Sequence, residues 1–167
     1  MSSTYLKEKR VLAIDPTTKG FGYAVMEGPG RLIDWGVKGV KGSKNAKSLE
    51  LISGLIDQYQ PDVIVVEDYS GRGSRRCKRI QELITRIIKL GSEKKVRIRN
   101  FSPLTVRKAF SESGAFTKHQ IATAIAERLP ELAPRLPPYR KCWMSEDYRM
   151  SIFDAVSFAL TFFHLEK

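Results

Sequence analysis

Residues 11–27 read VLAIDPTTKGFGYAVME, and this stretch decides the fold because it holds two apolar strands joined by a turn of Pro, Thr, Lys and Gly. The first strand runs without a break from Val11 into Asp15. An unpaired charge is costly to bury, so the carboxylate at the end of this strand needs a partner or a metal ion. The stretch therefore predicts a β-hairpin whose first strand ends in an acid with partners elsewhere in the chain.

Around this hairpin the sequence predicts the first half of a sheet. RLIDWGVKGV, residues 31–40, follows a Gly-Pro-Gly turn as the third strand of an antiparallel meander. Apolar residues at three- and four-residue spacing predict a helix over 43–59, with Ser43 as its cap. DVIVVED, residues 62–68, is an apolar run typical of a strand buried on both faces, and it too ends in acid, at Glu67.

The second half of the chain alternates helices with one more strand. A helix follows the basic segment 71–79, VRIRNFS at 96–102 forms a fifth strand, and further helices begin near Ser102 and after Thr117. The Pro-rich segment 130–138 is interpreted as a loop, and the last helix is expected to begin near Ser145. This order predicts an α/β fold with a mixed five-stranded sheet, a three-stranded antiparallel meander plus parallel strands, flanked by helices.

Length and composition limit the classes of partner. The 167 residues suffice for about one domain, expected to be residues 1–167 with 1–9 as a flexible N-terminus. Lys and Arg number 29 against 18 Asp and Glu, a net charge of +11 that favours a nucleic acid. Cys77 and Cys142 lack zinc-site spacing, and the sequence shows neither a signal peptide nor a membrane-spanning run, so a reducing, cytoplasmic location is expected.

A third acid lies in the last helix, where Asp154 interrupts the apolar run FDAVSFALTFF, residues 153–163. If the first and fourth strands are neighbours, Asp15 and Glu67 project from adjacent strands, and a terminal helix across the sheet brings Asp154 to the same place. Like charges at such close range need a divalent cation, and oxygen ligands favour Mg²⁺, with Mn²⁺ as a substitute. Two such ions about 4 Å apart are the known machinery of phosphodiester cleavage, so the pattern indicates a nuclease.

Several segments, in this order, resemble one family. AIDPTTKGFGYAV at 13–25 resembles the first hairpin of the RuvC-type Holliday junction resolvases, which belong to the ribonuclease H-like superfamily. VIVVED at 63–68 resembles their glutamate-bearing strand, residues 101–130 resemble the segment after their fifth strand, and SIFDAVSFAL at 151–160 resembles their terminal aspartate helix. Together these segments extend the resemblance over about residues 11–163.

The resemblance implies roles for individual residues. Asp15, Glu67 and Asp154 correspond to metal ligands, Lys118 to a residue near the scissile phosphate, and Arg107 to another basic position of that segment. The resemblance also implies a homodimer joined through the helix that follows residue 79. That helix carries an apolar stripe, although such a stripe is more often part of the core. Its residues are Ile80, Leu83, Ile84, Ile87 and Ile88.

A fourth acidic ligand is not fixed by the sequence. The resembling family commonly has a second acid three residues before the last one, where this chain has Ser151. Asp147 and Glu146 are candidates, and a site without a fourth acid is the remaining alternative. We include Asp147 in the predicted catalytic set. A continuous helix would separate it from Asp154 by about 10.5 Å along the axis, so its participation requires a later helix start or a bridging water.

A cluster of basic residues follows the glutamate-bearing strand and is predicted to contact phosphates beside the cleavage site. These residues are Arg72, Arg75, Arg76, Lys78 and Arg79. A solvated helix face is the alternative. Gly71 and Gly73 predict a loop that stays mobile until DNA orders it. Tyr69 is the nearest candidate for the aromatic residue with which the resembling family opens a junction; a half-buried loop tyrosine is the other interpretation.

Three other functions fit parts of the sequence. Actin-like and sugar-kinase folds bind ATP with a similar Asp and Thr turn, but they need two lobes. A ribonuclease H-like enzyme acting on RNA or unbranched DNA would share the fold, and Ser151 would suit a junction-binding module that does not cut. The best prediction is a dimeric, magnesium-dependent endonuclease, with two ions per site, that resolves four-way DNA junctions by paired phosphodiester hydrolysis.

Overall fold

A computed structural model describes residues 8–141 and 143–166 of the chain. Its centre is one mixed sheet in the order β3-β2-β1-β4-β5. The strands are β1 Arg10–Pro16, β2 Gly20–Glu27, β3 Leu32–Gly39, β4 Val63–Glu67 and β5 Arg97–Phe101. The first three form an antiparallel meander, and β4 pairs parallel with both β1 and β5. The predicted five-stranded mixed sheet is confirmed, and the strands that bear the first two acids are neighbours.

Helices cover both faces of this sheet. They are α1 Lys44–Tyr59, α2 Lys78–Glu93, α3 Pro103–Ser111, α4 Lys118–Arg128 and α5 Met150–Leu165. The first two share a core with one set of strand residues, and the last three share a core with the other set. Because consecutive strand residues point to opposite faces, a strand buried on both sides must be apolar at every position. This explains the uninterrupted apolar runs of β1 and β4.

The same alternation decides which face carries the acids. Val11 and Ala13 of β1 lie in the core beneath α5, as do Val63 and Val65 of β4. Ala13 pairs with Val65 in the parallel register, so Asp15 and Glu67 come two residues further along both strands and point to the α5 face. The carboxyl ends of two neighbouring parallel strands therefore deliver both acids to one edge, beneath the helix that carries the third.

Two predicted helix boundaries are corrected. The last helix begins at Met150 rather than near Ser145, because residues 143–149 form turns and bends before it. The Pro-rich segment is not entirely a loop, since Pro130–Arg135 forms a 3₁₀ helix that buries Leu132. Pro at the first position of that short helix is compatible with its geometry, because the missing amide hydrogen has no partner in a first turn.

The apolar stripe of α2 belongs to the core. Ile80, Leu83, Ile84 and Ile87 are buried against the sheet and α1. The interpretation of this stripe as core is confirmed for those four positions, so a dimer contact through α2 has to use its other, polar face.

The part of the chain that the structure describes begins at residue 8. Of the predicted flexible N-terminus, residues 1–7 lie outside the described residues, while Lys9 accepts a backbone hydrogen bond of 3.2 Å from the Gly28 amide. Cys77 is an exposed free thiol, and Cys142 lies outside the described residues. Among the described residues, we find no helix that is both long and apolar enough to cross a membrane.

Close packing between β2 and α5 gives a prediction for stability. A Cβ atom at Gly22 would lie 2.4 Å from the Ser151 hydroxyl oxygen and 2.5 Å from the Ser151 carbonyl carbon. We expect Gly22→Ala to lower the free energy of unfolding by roughly 1–3 kcal/mol, because the start of α5 must move away. Gly39→Ala is the matched control, since a Cβ there meets nothing within 4 Å. Equal stability of the two variants in urea would contradict this packing.

Candidate active site

Three acids from three different elements line one cleft of about 740 Å³. Asp15 ends β1, Glu67 ends β4, and Asp154 lies in the second turn of α5. Asp15 is 2% exposed and Glu67 is 7% exposed, so both carboxylates are held in the protein rather than in solvent. Lys118 and Arg107 line the same cleft. The structure thus brings together the acids that the sequence placed on separate elements.

Arg76 bridges the first two acids. Its Nε donates to Glu67 Oε2 at 3.0 Å, and its Nη2 forms an ion pair with Asp15 Oδ1. Its Nη1 donates to the Pro16 carbonyl at 2.8 Å, and the Ser74 hydroxyl donates to Glu67 Oε2 at 2.7 Å. Two buried carboxylates side by side require a positive charge between them, and the guanidinium supplies it. Arg76, predicted to contact DNA, is in this structure the counter-ion of the acidic pair.

Lys118 is the counter-ion of the third acid, Asp154. It is the first residue of α4, and Thr117 caps that helix in a capping box with Gln120, as the sequence predicted for Thr117. From there the ammonium lies 3.1 Å from Asp154 Oδ2 and also pairs with Glu146. Desolvation lowers the pKa of Lys118, but the charges of Asp154 and Glu146 outweigh it and the net shift is upward, so this ammonium stays charged.

Burial controls the ionisation of the acids. It raises the pKa of Asp15, and the charges of Arg76 and Lys118 partly offset that effect. It also raises the pKa of Asp154 well above the ordinary value, with the charge of Asp15 as the next contribution. Within the described residues, no three acidic, His or Cys side chains are arranged to hold one ion. The donors are nonetheless hard carboxylate oxygens, and the site stabilises positive charge at two places, which is the chemistry that a divalent cation requires.

The raised pKa of Asp154 predicts a pH dependence of stability. Between its ordinary pKa of 3.8 and its raised value, the folded protein binds more protons than the unfolded chain. Stability without metal should therefore fall as pH rises through this window. Asp154→Asn should remove that component, which unfolding in urea with a chelator at about pH 5 and about pH 8 measures as a smaller difference than in wild type. An equal difference in both proteins would contradict the assignment.

Ser151, Asp147 and Glu146 bear on the question of a fourth acidic ligand. Ser151 is buried, and its hydroxyl donates to the Tyr148 carbonyl at 2.8 Å. Asp147 precedes α5, which meets the condition of a later helix start, but its carboxylate pairs with Arg149 at 2.8 Å, and that hydrogen bonding lowers its pKa. Glu146, through Lys118, is the acid linked to Asp154. Asp147 stays a prediction as fourth ligand, and the observed contacts favour Glu146.

The remaining basic residues divide into two groups. Arg72, Arg75, Lys78 and Arg107 are exposed. Arg79 is engaged in the fold, since its guanidinium donates to Asn45 Oδ1 at 2.9 Å and to the Thr17 carbonyl at 3.1 Å. Its contacts hold α1 against the β1–β2 turn. The exposed group is therefore the one positioned to contact phosphates.

Tyr69 folds back onto α2. It is half-buried, and its hydroxyl lies 2.8 Å from the Thr85 hydroxyl oxygen. This geometry matches the alternative of a half-buried loop tyrosine. A role for Tyr69 in opening a junction stays a prediction, and it requires the side chain to leave α2.

The segment that precedes α5 carries three exposed aromatic residues, called here the aromatic strip, which were not identified from the sequence. Tyr139, Trp143 and Tyr148 are 74%, 75% and 63% exposed, and Tyr148 lines the cleft. The signal was the mixture of aromatic and basic residues in YRKCWMSEDYR, residues 139–149. The sequence contains a weaker signal for the contacts of Arg76 and Glu146, because neither residue lies at a fixed spacing from the acids to which it is linked.

Comparison with known proteins supports one family. A sequence model of the family described as Crossover junction endodeoxyribonuclease RuvC matches residues 11–140, most of the chain. The crossover junction endodeoxyribonuclease RuvC of Akkermansia muciniphila is 30% identical over 122 residues, which are 68% of this chain and 73% of that relative.

Solved structures share the fold at lower identity. RuvC of Thermus thermophilus is 18% identical with a TM-score of 0.69, covering 94% of this chain and 95% of that one. The same protein in complex with a Holliday junction substrate is 15% identical with a TM-score of 0.68, covering 95% and 94%. The yeast mitochondrial Holliday junction resolvase Ydc2 is 18% identical with a TM-score of 0.61, covering 97% and 80%. These matches confirm the predicted ribonuclease H-like fold.

Proposed function

We propose that this chain, which belongs to the RuvC family of crossover junction endodeoxyribonucleases, cleaves four-way DNA junctions by metal-dependent hydrolysis of paired phosphodiester bonds. The family resemblance inferred from the sequence is confirmed. The observation that carries the proposal is the meeting of Asp15, Glu67 and Asp154 in one cleft of a strongly basic protein. Metal-dependent nucleases use such a set of carboxylates to act on phosphodiesters.

The metal requirement follows from the donor set. RuvC-type nucleases are metal-dependent, and in this chain Asp15, Glu67 and Asp154 are the proposed ligands, with Glu146 or Asp147 as a fourth. We expect magnesium, replaceable by manganese, and two ions per site, because carboxylate oxygens favour hard cations. When bound, the ions supply an activated water and neutralise charge on the leaving oxygen.

The side chains around the acids have separable tasks. Lys118 is held by Asp154 and Glu146 at the edge of the cleft, where its fixed positive charge can stabilise the negative charge of a phosphate in the transition state. Arg107, exposed on α3 and lining the same cleft, offers a second cation to the DNA backbone. Ser151 leaves no carboxylate at its position, so metal binding there depends on the acids that precede α5.

The exposed basic loop predicts a salt effect. Arg72→Glu combined with Arg75→Glu should weaken junction binding and reduce the slope of log K against log salt by about one unit per lost phosphate contact. Fluorescence anisotropy at several salt concentrations measures it. Arg31→Glu is the control, since exposed Arg31 follows β2 at the end of the sheet opposite Asp15. An unchanged slope in the double variant would show that Arg72 and Arg75 do not contact phosphates.

Assembly and location complete the proposal. A four-way junction offers two equivalent strands, so two copies of the chain related by a two-fold axis would each cut one of them. We expect each copy to act as one domain, residues 1–167, and the protein to work in the cytoplasm. Because the α2 stripe is buried in the single chain, the polar face of α2 is the part of that helix left for a partner.

Two alternatives to this proposal remain, and each needs its own experiment. A ribonuclease H-like enzyme would act on RNA or unbranched DNA, and the bound hydroxyl of Ser151 favours a module that recognises junctions without cutting. Competition binding of a four-way junction, a linear duplex and an RNA–DNA hybrid, all in chelator, tests the substrate. Preference for the junction excludes the first alternative, whereas equal affinity for the three, or preference for the hybrid, would overturn the proposal. Nicking of the junction in magnesium then separates the proposal from the module that does not cut.

A further inference from the structure

The position of Arg76 has a consequence for metal binding. Its guanidinium contacts carboxylate oxygens of both Asp15 and Glu67, which are the oxygens that a divalent cation would use. Only 21% of the Arg76 side chain is exposed, and its own carbonyl accepts a 2.9 Å hydrogen bond from the Gln81 amide group. Hydrogen bonds to its backbone carbonyl and from its guanidinium to both acids therefore hold Arg76 in the site.

We propose that Arg76 is a displaceable counter-ion that competes with the divalent cation for Asp15 and Glu67, and that DNA phosphate releases it. This inference rests on the proposed metal site. Two positive charges cannot share the same carboxylate oxygens without repulsion, so the cation binds only when the guanidinium leaves. Because Arg76 and a phosphate attract each other, DNA binding and metal binding strengthen one another. The metal site is then loaded mainly on DNA.

The surroundings of Arg76 permit this exchange. It lies in the segment between β4 and α2, which contains no helix or strand, and Gly73 there adopts a φ of +85°. Its neighbour Arg75 is exposed and lines the same cleft, so a phosphate held by Arg75 would lie close to Arg76. Exchanging a carboxylate for a phosphate as the acceptor leaves the guanidinium fully paired.

Manganese binding tests the inference without measuring cleavage. Free Mn²⁺ is quantified by electron paramagnetic resonance for wild type, Arg76→Ala and the control Arg31→Ala, at an exposed arginine outside the cleft. Without DNA, we expect Arg76→Ala to bind Mn²⁺ roughly tenfold more tightly than wild type, within the usual range of coupling, and Arg31→Ala to match wild type. Adding linear duplex DNA should tighten Mn²⁺ binding to wild type but not to Arg76→Ala.

Mn²⁺ binding that does not respond to the loss of Arg76 would contradict the competition. If Arg76→Ala and Arg76→Gln, both folded by circular dichroism, bind Mn²⁺ no more tightly than wild type, Arg76 does not compete and instead positions the acids. Failure of Arg76→Ala, and of wild type with DNA, to bind any Mn²⁺ would defeat the proposed metal site itself, which is a different outcome. Loss of junction preference would defeat the proposed substrate and leave the manganese result standing.

The exposed aromatic strip carries a second, independent inference. A turn holds Trp143 outward, because the Met144 amide donates to the Lys141 carbonyl at 3.0 Å and Arg140 Nη1 donates to the Met144 carbonyl at 2.6 Å. The Lys141 ammonium lies 5.2 Å from the centre of the Trp143 ring. Neither Arg140 nor Lys141 forms an ion pair with an acid among the described residues. Aromatic surface and free positive charge alternate here.

We infer that this strip, Tyr139, Trp143 and Tyr148, binds unpaired DNA strand at the branch point by stacking on its bases. Proteins bind single strands with aromatic rings and cations together. The rings stack on the bases, and the cations contact the phosphates. Tyr148 lines the cleft together with the three acids, so a base stacked on Tyr148 would lie beside them. This binding role rests on the proposed function, because a four-way junction can expose bases that a linear duplex keeps stacked.

Trp143→Ala tests the strip. Binding of a four-way junction in chelator should weaken about tenfold, as expected for one lost stack, while binding of linear duplex should not change. Trp143→Phe should restore most of the affinity. Leu51→Ala, at an exposed apolar position on α1, is the control. Unchanged junction binding, an equal loss for duplex, or a fall in molecular mass by sedimentation would overturn the inference, the last by showing that a second copy covers the strip.

Discussion

Asp15→Asn is expected to reduce junction cleavage in magnesium to below about one thousandth of the wild-type rate while leaving junction binding intact. The carboxylate ends β1 and is buried beside Glu67. Replacing it with an amide removes a charged ligand, and the electrostatic stabilisation lost with a poorly held metal is worth several kcal/mol. Junction affinity should stay equal or rise, because a negative charge that faces phosphates is gone.

The same change elsewhere controls for surface charge. Asp57 lies on α1, on the opposite face of the sheet, and pairs with Lys94 at 2.7 Å. Asp57→Asn should cut junctions at the wild-type rate. Turnover by a correctly folded Asp15→Asn protein would show that Asp15 is not a ligand of the reactive metal.

Lys118→Met is expected to slow cleavage by about 10²–10³-fold, the usual effect of removing one preorganised cationic or hydrogen-bonding group that faces a developing negative charge. Its ammonium contacts Asp154 and Glu146 at the first turn of α4. Removing it also removes an influence that lowers the pKa of Asp154. The variant should therefore need a higher pH than wild type for its remaining activity, because Asp154 loses its proton later.

Two further proteins make this prediction specific. Lys118→Arg should recover part of the rate and return the pH profile toward wild type, since the charge is restored. Lys47→Met, at an exposed position of α1, should leave both unchanged. A Lys118→Met rate and pH profile equal to those of wild type would remove Lys118 from the active site.

The sequence predicted the sheet and its acids because those features depend on short-range rules. Continuous apolar runs that end in Asp15 and Glu67 indicate buried strands with polar tips, and parallel pairing then brings the tips together. Asp154 was found for the same reason, since an acid within an apolar helix requires a partner. That β1 and β4 are neighbours was a condition of this prediction, because periodicity alone does not provide the order of the strands, and the structure meets it.

Other features depend on contacts that periodicity does not encode. Arg76 reaches Asp15 across 61 residues of sequence through a flexible side chain, and nothing in its spacing distinguishes it from Arg75. The start of α5 was placed too early because residues 145–149 carry acids and a serine that suit a helix start, whereas the chain forms a turn there and Asp147 binds Arg149. The polar face of α2 gave no apolar signal for a dimer contact.

We propose that Asp15, Glu67 and Asp154 hold the metal with which this protein cuts junctions. A junction-cleavage assay tests this assignment. A four-way junction labelled on each strand in turn is incubated with wild-type protein in magnesium and in chelator, with Asp15→Asn beside it. Paired, symmetric nicks near the branch point are expected in magnesium with wild type only. Nicks that persist in chelator or with Asp15→Asn, or an intact junction that stays bound in magnesium, would contradict it.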